Sequence, residues 1–485
     1  MSPIAAARRP RRQHPPCDPR HPEHNTMTKR IAVIGAGPAG LVTAKTMLQS
    51  GFEVVVFEMG SQIGGTWVYE NDSGRSFVYR SLHINTAREL TRFSDFHFAD
   101  DVPRFPDHYD MHRYLCAYAD HFAITPRIRF RAEVTSVTPV GRSMGGRPRW
   151  NVTTAKGDGG EFDIVAVCTG PFHRPRHVPE FRDAFGPDYL HAGDFRVPAP
   201  YAGKRVCIVG AGNSAVDIAS DICSTAARTV MVARSGVLIT PQYLLGRSYN
   251  ELVVRYLQRP WIPAALRRRV TRAITFVVHG RPTDLGFKPL AHRVHPSTSA
   301  TVVADILFGR VEIKQGIERI DGRTIRFADG RSETFDALIA ATGFDMEFPF
   351  LAAEIVRPVN NRIDLYKRVV APGWPGLYFV GIINLDTPIN YACERQAVWI
   401  RQLEAGNVML PTEQAMRAVI EAKRRWVERN YGTALRHSMQ EESMIYYAEL
   451  RRELRRGRLR HRLARLRARL GFETAAAAHS GVLGR

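Results

Sequence analysis

Short apolar runs that stop at glycine set the rhythm of this chain. Residues 31–34 and 206–209 are such runs, and each opens onto a glycine-rich turn followed by a helical pattern. A second run follows each, over 53–57 and 229–233. Two further runs, Ile164-Val-Ala-Val-Cys168 and Ala337-Leu-Ile-Ala-Ala341, both end in a Thr-Gly corner, Thr169-Gly170 and Thr342-Gly343. Runs of this length bounded by turn residues read as strands, and strands alternating with helical patterns predict βαβ units. The spacing predicts an α/β protein with two Rossmann-like dinucleotide-binding domains, the second inserted into the first.

The turns carry the chemistry. Gly35-Ala36-Gly37-Pro38-Ala39-Gly40 and Gly210-Ala211-Gly212-Asn213-Ser214-Ala215 each sit between a strand and a helix. In that context the first glycine makes the tight turn and the second lets backbone N–H groups reach a pyrophosphate. The third position needs a small residue for helix–strand packing. The next strand ends on Glu58 in the first unit and on Arg234-Ser235 in the second, 23 and 24 residues after Gly35 and Gly210. An acid there accepts from adenosine ribose hydroxyls, whereas an arginine suits a 2′-phosphate. The expectation is FAD on the first unit and NADPH on the second.

Boundaries follow from these units. Residues 27–172 are expected to form the first part of the FAD-binding domain. The NADP-binding domain is expected over 173–330, with a partly helical insertion at about 236–300. The FAD domain then resumes over 331–450, with 376–381 as its last central strand, and Thr412 caps a later helix. Residues 1–26 are rich in Pro, Arg and His, lack the apolar segment of a signal, and are expected to be a disordered basic leader. Met27 leads directly into the first strand and is an alternative start.

Composition narrows the class. The chain has 485 residues, 44% of them hydrophobic, and a net charge of +21. Most of that charge lies in the first 30 residues and the last 35, so the body is only mildly basic and no specific nucleic-acid partner is expected. No apolar run approaches the length of a membrane span. Six cysteines without close pairing argue against a redox disulfide, a zinc site or a secreted framework, and suggest the cytoplasm. Residues 451–485 form an Arg/Leu-rich tail. Leu454, Leu459, Leu463, Leu466 and Leu470 fall on one helical face, which suits either an anionic membrane surface or packing on the protein itself, the second being favoured.

The motifs together resemble the flavin-containing, N- and S-oxygenating monooxygenases among the class B flavin monooxygenases, over about 30–450. The resemblance rests on Gly64-Gly65-Thr66-Trp67, Tyr79-Arg-Ser-Leu-His-Ile-Asn-Thr86, Phe93-Ser-Asp-Phe-His-Phe98, Phe105-Pro106, Ala341-Thr-Gly-Phe-Asp345 and Arg429-Asn-Tyr-Gly432 with Arg436, His437 and Gln440. The stretch from Phe185 to Phe195 keeps the Phe–His spacing of the family signature and ends in an aromatic. It departs by placing Gly186 directly after the Phe. The Trp common in Baeyer–Villiger relatives is absent, which favours the N/S-oxygenating branch.

The resemblance implies that NADPH reduces FAD and that reduced flavin takes up O2 as a C4a-hydroperoxide. That species then oxygenates an amine nitrogen or sulfur of a small lipophilic substrate. It points to Asn85 as the catalytic hydrogen-bond donor beside the flavin, with Thr86 next to it. It puts Gly65, Thr66 and Trp67 along the flavin, with Thr169, Gly170, Thr342 and Gly343 as further cofactor contacts. Ser214 and Asp217 fall near the NADP pyrophosphate, although an Asp in a first helical turn is equally favoured by the helix dipole. His191 and Phe195 are expected to hold or relay domain motion. Asn390, Glu394 and Gln396 open a helix aimed at the isoalloxazine or cap it. No metal is expected. The alternatives are a Baeyer–Villiger enzyme acting on a ketone, or an uncoupled NADPH oxidase or non-catalytic flavoprotein. Oligomeric state is not legible.

Overall fold

The computed structural model describes residues 28–141, 147–259 and 261–470. The basic leader, the alternative start and the last fifteen residues lie outside the described residues. Two five-stranded parallel sheets organise the rest. In the first unit, β1 (Arg30–Ile34), α1 (Pro38–Leu48) and β2 (Glu53–Phe57) form the opening βαβ. After α2 (His108–His121) come β3 (Ile128–Arg129) and β4 (Ile164–Val167). In β1, Ile31 and Val33 enter one apolar cluster and Ala32 and Ile34 another. Both sheet faces are therefore buried, which is why the run is continuously apolar.

The chain then crosses through β5 (Arg174–Pro175) into the second unit. There β6 (Tyr189–His191), β7 (Arg205–Val209), α3 (Asn213–Ile222) and β8 (Arg228–Val232) are followed by the insertion. The insertion carries α4 (Ala264–His279) and a parallel pairing of Ile239–Pro241 with Ser297–Ser299. The unit closes with β9 (Val311–Lys314) and β10 (Ala337–Ala340). The chain returns through β11 (Phe344–Asp345), antiparallel to β5, to β12 (Leu377–Phe379) on the first sheet.

The strand orders are β12-β4-β1-β2-β3 and β9-β8-β7-β10-β6. Aligned on β1 and β7, they superpose strand for strand. Each unit also has a three-stranded antiparallel meander before its Thr-Gly strand (134–162 and 317–334). Two expectations are corrected here. The strand ending at Thr342 does not belong to the first unit: Val206 to Val209 pair with Ala337 to Ala340, so the first unit resumes only after β11. The segment at 376–381 supplies an edge strand, not a central one.

Three long helices complete the first unit: α5 (Ile389–Glu404), α6 (Glu413–Tyr431) and α7 (Ser443–Arg469). α5 buries Ala392, Cys393, Trp399 and Ile400 in the same cluster as α1. Thr412 caps α6 through Ala415 N, as expected. The tail is no separate segment, since α7 begins at Ser443. Tyr446 and Leu450 are core residues and Leu454 packs against them. Beyond it, Leu459, Leu463, Leu466 and Leu470 are each about half exposed or more, so the favoured packing of the leucines on the protein itself stops at Leu454.

Candidate functional site

Both glycine turns are built as close-approach cradles. Gly35 has φ of +106°, and a Cβ on it would lie 2.9 Å from the Cys168 carbonyl oxygen at the end of β4. A Cβ on Gly40 would overlap the Gly35 carbonyl oxygen, which locks α1 onto β1. Gly37 caps α1 in extended conformation with no side-chain partner, and Pro38 takes the first helical position. Ala39 is buried behind it. The turn Gly64-Gly65-Thr66-Trp67 lies directly on this cradle. Gly64 N donates to Ala36 O at 3.0 Å, and a Cβ on Gly65 would sit 3.1 Å from Gly37 Cα. Thr66 and Trp67 are half-buried beside it.

Glu58 does more than the sequence suggests. Its carboxylate accepts from Ala36 N at 2.7 Å and Gly60 N at 2.8 Å, stapling the glycine turn to the end of β2. Burial raises its pKa, against the lowering effect of those backbone donors. A carboxylate has about four acceptor sites, so the ribose role remains chemically open to it.

In the second unit Gly210 has φ of +129°, and a Cβ there would strike the Ala341 carbonyl oxygen. Ala215 is buried at the third position. Gly212 caps α3 without a side-chain partner, and a Cβ on it would meet nothing within 4 Å. Ser214 is exposed in the first turn, and Arg234 and Ser235 are exposed at the end of β8. The insertion folds back onto this turn: Ser297 Oγ donates to Ala211 O at 2.8 Å, and Thr298 N donates to Asn213 Oδ1 at 3.0 Å. Asn213 is thus engaged by protein as well as placed at the turn. No periodicity in the sequence marked Ser297-Thr298-Ser299 for this.

The two Thr-Gly corners face the crossings between units. Gly170 and Gly343 have φ of +73° and +84°. The Thr169 hydroxyl lies 3.1 Å from His173 Nε2, and Thr342 donates to Arg176 O. His191 Nε2 donates to Gly343 O at 3.0 Å while its Nδ1 accepts from Gly193 N at 2.9 Å. Burial and the neighbouring His177 lower its pKa to about 4, so it is neutral at pH 7. Phe195 is buried against Tyr79 and Tyr201.

Asn85 is half-buried in a turn pinned from several sides. Ile84 N donates to Pro106 O at 2.8 Å, and the Thr86 and Thr91 hydroxyls lie 2.8 Å apart. Asn390, on α5, donates to Thr91 O at 2.6 Å. Among the described residues the Asn85 amide has no hydrogen-bond partner, so it is free to serve a bound group. Glu394 and Gln396 instead face protein: Glu394 accepts from Ser94, and Gln396 links Gly381 N to Tyr446. Asp217 departs from its expected neighbour. Its carboxylate accepts the Tyr79 hydroxyl at 2.7 Å, and burial together with Asp221 raises its pKa to about 7.

The site fits two dinucleotides. Two helix N-termini without side-chain caps offer backbone donors and positive dipole ends to phosphate. Gly212 leaves room for close approach. Among the described residues no His/Cys/Asp/Glu group could hold a metal ion.

Comparison with known proteins agrees. The sequence pattern of the family described as FMO-like, flavin-binding monooxygenase-like, matches residues 28–457. The chain is 32% identical over 438 residues to flavin-containing monooxygenase 5 of Oryctolagus cuniculus, covering 85% of this chain and 80% of the relative. It is 32% identical over 416 residues to the N-oxide-forming dimethylaniline monooxygenase 4 of Mus musculus, covering 81% and 72%. Among solved structures, the S-allyl-L-cysteine S-oxygenase of Allium sativum matches with a TM-score of 0.65 at 27% identity, covering 88% of this chain and 89% of that one. A steroid monooxygenase bound to NADP shares the fold at a TM-score of 0.61 and 18% identity, covering 89% and 98%. The chain therefore belongs to the flavin-binding monooxygenase-like family, and the protein is a flavin-dependent oxidoreductase.

Proposed function

We propose that the protein is an NADPH- and O2-dependent monooxygenase that oxygenates a sulfur or amine nitrogen of a small lipophilic substrate. FAD sits on the first cradle and NADPH on the second, the second unit being inserted into the first. When bound, the flavin supplies redox and oxygen chemistry that no side chain here offers. The chain's own residues bind, orient and shield. The α1 and α3 N-termini take the two pyrophosphates. Glu58 keeps acceptor capacity for a ribose, and Arg234 offers a charge to a 2′-phosphate. Asn85 donates a hydrogen bond without bringing an acidic proton. The observation that carries this reading is the pair of equivalent cradles, one ending in an acid and the other in an exposed arginine. Its test is turnover with methyl phenyl sulfide, N,N-dimethylaniline and cyclohexanone side by side, with products identified. Sulfoxide or N-oxide supports it. A lactone alone would replace it with the ketone-oxidising chemistry.

Asn85→Ala is expected to keep reducing its flavin with NADPH while the share of electrons released as peroxide rises at least about threefold. Peroxide assay against NADPH consumption checks this, and full coupling would remove Asn85 from its role. The five described cysteines are all unpaired, which fits a cytoplasmic setting. Among the described residues no helix is long and apolar enough to cross a membrane.

The end of α7 supports peripheral contact with an anionic membrane. At 3.6 residues per turn, Leu459, Leu463, Leu466 and Leu470 form one stripe, opposite the buried Glu453 and Gly457. Ten arginines and one glutamate lie between 451 and 469, many of them flanking that stripe. A nucleic acid would not reward the leucines, and a second copy would bring like charge. Replacing Leu459, Leu463 and Leu466 by Glu is expected to lower binding to phosphatidylglycerol-containing vesicles at least about tenfold. Sedimentation with and without the anionic lipid reads it, and equal binding by the variant would contradict it.

A further inference from the structure

The segment that leads to Asn85 is gripped by the helix that opens the second cradle. Tyr79 Oη donates to Asp217 Oδ2 at 2.7 Å, and two residues on, Ser81 Oγ donates to Asp221 Oδ2. Asp217 and Asp221 are one helical turn apart on α3, so they share a face. Residues 79 and 81, two apart along the segment, both reach that face, each through one hydroxyl. Tyr79 is 4% exposed and its ring lies edge-on to Phe195, at 5.8 Å between centroids. Arg80 N donates to Arg196 O at 2.9 Å, fixing the segment from its other side.

From this grip the chain runs four residues to Asn85. Leu82 N donates to Tyr79 O, and Leu82 O accepts His108 N, so the intervening turn has little freedom. α3 begins at Asn213, directly behind Gly212, so Asp217 lies one turn inside the helix whose N-terminus forms the cradle. One short rigid path therefore joins the second cradle to the turn that holds Asn85.

We propose that Asp217 and Asp221 are positioning residues which, through Tyr79 and Ser81, fix the Asn85 turn relative to the second cradle. The proposal rests on the two-dinucleotide reading above for its consequence, but the grip itself needs no ligand. It gives a reason for a carboxylate at 217 that neither the helix dipole nor a pyrophosphate contact supplies. A carboxylate would repel a pyrophosphate, whereas here it serves as a half-buried acceptor between two units.

The test uses Tyr79→Phe, Asp217→Ala and the double variant in the FAD-loaded protein, with Ile325→Ala as a control. Ile325 lies in the meander of the second unit, in an apolar cluster separate from the one that holds Tyr79, so it reports stability loss alone. Peroxide released per NADPH is expected to rise at least about threefold in each single variant, and no further in the double, because both remove one interaction. Hydrogen exchange of the peptide containing residues 79–88, measured in flavin-free protein, is expected to quicken in the variants and not in the control. Exchange at wild-type rates in both single variants would overturn the grip. Faster exchange with wild-type peroxide release would overturn its bearing on Asn85. A control that leaks as much peroxide as the variants at equal thermal stability would reduce the pair to a structural contact. If instead no substrate is oxygenated by wild type at all, the functional reading fails while the exchange result still judges the grip.

Discussion

Gly212→Ala is expected to fold and yet to lose NADPH, whereas Gly40→Ala is expected not to fold. The two glycines occupy the second and third positions of matching turns, so a sequence pattern treats them alike. Their surroundings differ. At Gly40 a methyl group would be driven into the Gly35 carbonyl, a backbone atom that cannot move without unseating α1 from β1. The cost is that of severe overpacking at a buried backbone contact, at least about 3 kcal/mol, a large share of a domain's stability of about 5–15 kcal/mol. At Gly212 φ is −80° and the methyl meets nothing within 4 Å, so stability should stay within about 1 kcal/mol of wild type. The methyl would instead occupy the space a pyrophosphate needs. Loss of about 1.5–3 kcal/mol of charge-assisted backbone hydrogen bonding raises the NADPH KM about 10- to 150-fold. Thermal unfolding with flavin fluorescence and NADPH titration separates the cases. A stable, flavin-loaded Gly40→Ala protein would contradict the packing argument, and an unchanged KM in Gly212→Ala would contradict the second cradle.

Arg234→Ala is expected to lower kcat/KM for NADPH about 10- to 100-fold and to leave that for NADH within about twofold. Arg234 is exposed at the end of β8 and has no hydrogen-bond or salt-bridge partner among the described residues, so its removal costs little stability. A charge-assisted contact to a 2′-phosphate is worth about 1.5–3 kcal/mol, which sets the expected factor. The symmetry of the two sheets strengthens the assignment. β8 occupies in its sheet the position that β2 occupies in the first, so Ala233 stands where Glu58 does and Arg234 follows one residue on. An unchanged NADPH-to-NADH preference would mean that selectivity comes from elsewhere on the second unit.

Much of this was legible because a buried parallel strand and a glycine turn leave strong local signals. Both βαβ openings, both cradles and the acid–arginine contrast could be read directly. The echo between Thr169-Gly170 and Thr342-Gly343 was also legible, but its meaning was misdrawn. Equivalent corners imply equivalent strands, so residues 337–340 had to lie in the second sheet, where β10 pairs with β7. Pairing over such sequence separation leaves no mark in local pattern. The partners of Asp217 and Glu58 were hidden for the same reason. Their types suit helix dipole and ribose alike, and only tertiary packing brings Tyr79 to one and Ala36 N to the other. The Leu459 to Leu470 stripe shows the limit from the other side. Its periodicity was plain, but which face of α7 docks is set by Gly457, where a Cβ would strike Val408 and Met409.

The measurement that tests the central claim most directly is turnover of methyl phenyl sulfide with NADPH under 18O2. The account predicts one labelled oxygen atom in each sulfoxide molecule and one NADPH consumed for each sulfoxide formed. Unlabelled product, or peroxide accounting for all the NADPH consumed, would contradict it.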